Sequence, residues 1–164
     1  MGDFEWLATL YDSELGISTI LGRMAVATLL GFVIGIDREY LQRPAGLRTH
    51  MLVSLAAATF TLVTFELMGR FEDDPAVNAD PIRVIEAVTA GVAFLAAGTI
   101  IQARRQVQGL TTGAGLWLAG AIGTACGAGA FAAAGAATAF GLVVLILLRF
   151  VTHTKNGDKA EDVD

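Results

Sequence analysis

Asp37, Arg38, Glu39, Arg43, Arg48 and His50 crowd into Gly35–Leu52 (GIDREYLQRPAGLRTHML), between two apolar runs of hydrocarbon length. Charged groups at a membrane boundary are costly unless they pair or meet water or headgroups, and those held there often carry function. Two roles fit. Opposite charges can hold the ends of a helical hairpin together, or they can form a polar site for an ion or a partner protein. The arginines suffice as anchors, which leaves Asp37 and Glu39 open to either role. Carboxylate oxygens suit a hard cation such as magnesium, but the resident arginines would compete with it, so no tight metal site is expected. His50 has no second histidine or cysteine nearby for a transition metal and reads as a satisfied interfacial side chain. Pro44 opposes helical geometry at Arg43, and Gly46 permits a sharp reversal. The expected contact surface is Asp37, Arg38, Glu39, Arg43, Gly46, Arg48 and Thr49.

A second set, Arg23, Glu66, Arg83 and Glu86, lies within or at the ends of the apolar runs. Glu66 and Arg70 stand at i,i+4, and Arg83 and Glu86 one turn apart. They predict a cross-helix charge network, with a polar route for an ion or solute as the alternative. Arg23 is expected to snorkel to the interface or to face a carboxylate. The carboxylates of the loop at 71–80 offer weak magnesium binding at most. No nucleophile elbow, zinc-protease motif, P-loop or dinucleotide fingerprint is present. The chain therefore reads as non-enzymatic and without a cofactor. Its basic residues form no surface for nucleic acid.

The elements that position these residues are membrane spans. Of 164 residues, 54% are hydrophobic and 16% charged, with a mean hydropathy of +0.61. Apolar runs reach the roughly 20 residues that a bilayer helix needs at about 17–36, 47–68, 82–101, 110–128 and 130–151. The predicted fold is all-α, a compact bundle of five transmembrane helices. Residues 1–16, acidic and aromatic with no basic n-region, predict an interfacial segment ahead of a retained first span. Residues 152–164 predict a disordered tail. QARRQVQG (102–109) reads as a short link. Cys126 reads as a small apolar residue and Trp117 as packing.

Charge orients the bundle. With five spans, Arg38, Arg43, Arg48, Arg104, Arg105, Arg149, Lys155 and Lys159 share one side, while Arg23, Arg70 and Arg83 lie near the other. That asymmetry places the hub and the C-terminus in the cytoplasm and the N-terminus outside. Gly31, Gly35, Gly91, Gly98, Gly123 and Gly127 are candidate sites of close helix approach. Ala119, Gly123 and Gly127 form a ridge at four-residue spacing. The ridge suits a bundle or a homodimer seam equally.

The order G-x-x-I-G-x-D-R-E (Gly31 to Glu39) and R-x-A-G-L-R-T-H (Arg43 to His50) resembles the signature of the MgtC/SapB family of bacterial membrane proteins. D-P-x-R (Asp80 to Arg83), G-x-x-F-L-x-A-G-x-I (Gly91 to Ile100), V-x-G-L-T-T-x-A-x-L-W (Val107 to Trp117) and A-I-G-x-x-x-G-x-G (Ala121 to Gly129) are similar in the same order. The resemblance implies a multi-pass inner-membrane protein linked to growth in low magnesium. It also implies action by regulating a partner, notably by restraining the proton-driven ATP synthase. Ala87 stands where the family has a polar residue, with Glu86 beside it. The soluble C-terminal domain of the virulence-associated members has no counterpart in this sequence.

Overall fold

The computed structural model describes residues 15–71, 80–103 and 106–157, with side chains described over 15–71, 80–100 and 107–147. The apolar runs form five helices: α1 (Ile17–Tyr40), α2 (Leu47–Arg70), α3 (Ile82–Gly98), α4 (Leu110–Gly127) and α5 (Phe131–Gly157). The expected N-terminal segment up to residue 14, most of the acidic loop (72–79), Arg104, Arg105 and residues 158–164 lie outside the described residues. Only α1 and α2, among the described residues, are both long and apolar enough to cross a bilayer by length and composition. α3 has 17 residues, and the apolar part of α5 covers Phe131–Leu147.

Several boundaries differ from those read in the sequence, among them the end of α5, which continues to Gly157, so that residues 152–157, expected in a disordered tail, are helical. α1 continues past Ile36 to Tyr40, so Asp37, Arg38 and Glu39 occupy its last turn. α3 stops at Gly98 rather than at Ile101. The link that follows is no plain connector: β1 (Ile101–Ala103) and β2 (Gln106–Gln108) form an antiparallel ribbon, with Gln102 opposite Val107. Gly109 closes it at φ +90°, a conformation that suits glycine. A Cβ there would collide with the carbonyl oxygen of Thr99.

α4 lies at the centre and packs on all four other helices. Its small residues make this geometry available. Gly113, Gly115, Leu116, Ala119, Gly120, Ile122, Gly123, Cys126 and Gly127 are all buried. The glycine ridge is used within the chain: a Cβ on Gly123 would strike the carbonyl of Ser54 on α2, and one on Gly127 would lie 2.6 Å from the Ala58 carbonyl oxygen. Gly31 and Gly35 bring α1 onto α2 in the same way, with a Cβ 2.8 Å from the His50 carbonyl oxygen and from the Leu47 Cα, respectively. Gly91 and Gly98 make no such approach, since a Cβ on either would meet nothing within 4 Å. Two apolar clusters complete the interior. One joins Val53, Ala57, Val88, Val92, Leu116 and Ala119; the other joins Ala27, Ile34, Ala58, Ile122, Cys126 and Ala134.

α3 is loosely held, with only Val88 and Val92 buried. Grooves of about 670 Å³ and 570 Å³ flank it, against α2 and α4 respectively. Trp117 is not interior packing as the sequence suggested; it is 57% exposed and lines the second groove.

Outside this apolar core the surface is apolar as well. Leu29, Phe60, Phe94, Phe140 and Leu147 face outward, while Ser54, Thr61, Thr112 and Thr138 are buried. Three of these hydroxyls donate to backbone carbonyls. Ser54 Oγ donates to Ala27 O across α1 and α2, and Thr61 and Thr138 donate one turn back, each at 2.8 Å. An apolar exterior on this scale suits hydrocarbon and would be a liability in water.

Candidate functional site

The hairpin between α1 and α2 is built by one capping motif and one carboxylate. At the end of α1, Gln42 N–H donates to Glu39 O and Arg43 N–H to Arg38 O. This is the paired pattern of a Schellman cap, with Gln42 at φ +51° in the position that glycine usually takes. The chain turns through Pro44 and enters α2 at Leu47. The Glu39 carboxylate accepts the Leu47 N–H at 2.9 Å, a placement favoured by the positive end of a helix. Gly46 leaves room for this contact, since a Cβ there would overlap Glu39 Oε2 and make the carboxylate shift. Glu39 thus acts to position α2. Because the helix ends at Tyr40, Arg43 does not stand one helical turn from Glu39 on α1.

The charged hub separates into an exposed rim and a buried pair. Glu39, Arg43 and Arg48 are exposed, and Asp37 and Thr49 half-buried. Arg38 instead points inward and is only 4% exposed. Its Nη2 donates to the Thr111 carbonyl in the first turn of α4 at 3.1 Å. His50 is fully buried, contrary to an interfacial placement, with Nδ1 2.8 Å from Gly46 O. Since a carbonyl only accepts, Nδ1 carries the proton and Nε2 is the nitrogen free to gain or lose one. Both Arg38 Nε and His50 Nε2 are buried without a hydrogen-bond partner among the described residues. They converge on Gly115, where a Cβ would sit 3.1 Å from His50 Nε2 and 3.7 Å from Arg38 Nε and Nη2.

The second set of charged residues does not gather in the same place. Arg23 is half-buried and turns toward the end of α4. Its Nη1 donates to Gly127 O at 2.8 Å, a cation on the last carbonyls of α4. Glu66 Oε1 accepts the Leu15 N–H at 3.2 Å. Arg83 and Glu86 are exposed on α3, with Arg83 and Asp80 at one end of the larger groove. Asp80 Oδ1 accepts the Ile82 N–H at 2.9 Å and so starts α3. Groups of three or more residues able to hold a metal are absent among the described residues.

Thr111 and Gly115 were not legible as site residues, because T-T-G-A-G at the start of α4 carries no charge. His50 was visible, but its depth was not. The signal that could have found them is the pairing of small residues on α4 with a charged residue in the last turn of α1.

Comparison with known proteins accounts for this arrangement of motifs. The chain is 40% identical over 126 residues to Protein MgtC of Brucella abortus (strain 2308), covering 77% of this chain and 50% of that protein. It is 41% identical over 126 residues to Protein MgtC of Salmonella typhimurium (strain LT2), covering 77% and 51%. With Protein SapB of Bacillus subtilis (strain 168) the identity is 33% over 146 residues, covering 88% and 63%. The chain thus spans about half to under two thirds of the length of these relatives. No solved structure matches it. The sequence pattern of the MgtC family fits residues 24–154, from the first turns of α1 into α5, and on this evidence the chain is a membrane protein that belongs to the MgtC family.

Proposed function

We propose that the chain is a non-enzymatic, multi-pass protein of the bacterial inner membrane. In this reading it acts in magnesium or membrane-energy homeostasis by regulating a membrane partner, such as the proton-driven ATP synthase. The family and the names of its relatives support the physiological setting. One observation supports a contact role: the α1–α2 hairpin displays Glu39, Arg43 and Arg48 outward on a base fixed by Arg38 and His50. Exposed charges on a rigid support can be recognised by a partner without first being ordered.

Asp37→Ala and Arg48→Ala test this. Neither side chain is in the buried pair, so both variants are expected to insert normally yet to lose support of growth in low magnesium. Full complementation by both variants would overturn the proposal. Transport is the competing reading, with the polar residues Arg23, Glu66, Arg83 and Glu86 as its route. Reproducible ion flux through liposomes holding only the purified protein, lost on Glu86→Gln, would favour transport over regulation.

A further inference from the structure

We infer that the groove between α2 and α3 holds one phospholipid with a zwitterionic, primary-ammonium headgroup, its phosphate on Arg83 and its ammonium on Asp80. The groove encloses about 670 Å³, and Ala57, Phe60, Val84, Ala87 and Gly91 are among its apolar walls. Its charged lining residues, among those described, are Asp80 and Arg83. Gly91 keeps the groove open, because a Cβ there would meet nothing within 4 Å. With only Val88 and Val92 of α3 buried, the face of α3 toward α2 is left for an occupant to cover.

Length selects an acyl chain. The lining residues run from Val53 to Thr64 on α2 and from Arg83 to Leu95 on α3, roughly 16–18 Å at 1.5 Å per residue. That is about one leaflet of a hydrocarbon layer of roughly 30 Å. A lipid tail has this depth, whereas a transmembrane helix of a second copy would cross both leaflets. Lipid tails are as apolar as leucine, so hydrocarbon alone fills the groove without preferring one lipid. The headgroup is what distinguishes a held lipid from its neighbours.

The mouth of the groove presents one charge of each sign. Arg83 N–H donates to Asp80 O at 3.2 Å, closing a turn that keeps the two residues together, and both are exposed. The guanidinium is a planar fork of donors that matches phosphate oxygens two at a time. Asp80 Oδ1 accepts the Ile82 N–H at 2.9 Å, which leaves the second carboxylate oxygen for an ammonium. A headgroup of net negative charge would bring no cation to Asp80. Glu86, exposed one turn beyond Arg83 and outside the groove lining, would add to the repulsion. A quaternary ammonium has no N–H to donate. Exposed ion pairs are weak, so the preference for a primary ammonium is several-fold rather than absolute.

The test offers the purified full chain in detergent equal amounts of phosphatidylethanolamine, phosphatidylglycerol and phosphatidylcholine with the same acyl chains. Native mass spectrometry reads what is retained. One phosphatidylethanolamine per chain is expected, at several-fold higher occupancy than either competitor. Asp80→Asn keeps an oxygen for the Ile82 N–H and is expected to erase that preference, while Arg83→Gln lowers retention of all three lipids. Gly91→Leu fills the groove and is expected to abolish retention; Gly135→Leu, at another open position, leaves it unchanged. In the unsubstituted protein, a phosphatidylethanolamine with a diazirine in its acyl chain is expected to label Phe60 and Ala87 well above Phe140 of α5, which is 72% exposed. This arm needs no variant to fold. The proposal is overturned by equal retention of the three lipids, by retention unchanged in Gly91→Leu, or by labelling as frequent on Phe140 as in the groove. Disulfide-linked dimers of Ala87→Cys would overturn it too, because a second copy would then cover the groove.

Discussion

Two residues in matching positions of the fold carry opposite conformational costs. α1 and α4 end in the same cap: Arg43 N–H on Arg38 O and Gln42 N–H on Glu39 O in one, Ala130 N–H on Ala125 O and Gly129 N–H on Cys126 O in the other. The left-handed position is Gln42 at φ +51° in α1 and Gly129 at φ +78° in α4. A side chain in that conformation costs roughly 1–2 kcal/mol. Gln42→Gly is therefore expected to stabilise the protein by about 1 kcal/mol, read as a rise in Tm in detergent. Gly129→Ala should destabilise it by about 1–2 kcal/mol. Its Cβ would also lie 2.9 Å from Arg23 Nη2, disturbing the guanidinium that holds Gly127 O. If the two substitutions shift Tm in the same direction, the equivalence of the two caps is wrong.

Between elements, stability rests on backbone-to-backbone approach at α4 more than on large side chains. A Cβ on Gly123 would meet backbone atoms of Ser54, which no rotamer change can relieve. Gly123→Ala is expected to force α2 and α4 apart at a cost of about 1–3 kcal/mol, measured by SDS or thermal unfolding, while Gly135→Ala on α5 leaves stability unchanged or slightly higher. Equal tolerance of both would show that the α2–α4 seam is looser than described. Much of this was legible in the sequence, because hydropathy runs mark helices and four-residue spacing of small residues marks a packing ridge. The ridge could not by itself show whether its partner is α2 or a second copy of the chain; the contact with Ser54 and Ala58 assigns it to α2. The ribbon at 101–108 was missed, since Q-A-R-R-Q-V-Q has no apolar alternation and its strands are only three residues long. Arg38 was legible as a hub residue, yet charge counting cannot tell a side chain that turns inward from Arg43 or Arg48 on the rim.

On the scale of the molecule, two arginines staple the two ends of α1 to the two ends of α4. Arg23, early in α1, reaches Gly127 at the end of α4; Arg38, in the last turn of α1, reaches Thr111 at its start. The two helices therefore run antiparallel. Fifteen residues separate the arginines on α1, about 22 Å at 1.5 Å per residue, so the staples lie near opposite boundaries of a hydrocarbon layer of roughly 30 Å. The antiparallel pairing puts the α1–α2 turn and the α4–α5 turn at opposite ends of the bundle, which is what alternation of five spans would give. The side holding Arg38, Arg43 and Arg48 carries the excess of positive charge and is predicted to be cytoplasmic. Fluorescent-protein fusions after Gln42 are expected to be bright and alkaline phosphatase fusions there inactive, with the reverse pattern after Gly129. The same pattern at both sites would exclude alternating spans, and full reversal would retain the bundle but invert it, placing the Arg38–His50 pair and the charged rim outside the cell, where no cytoplasmic partner could reach them.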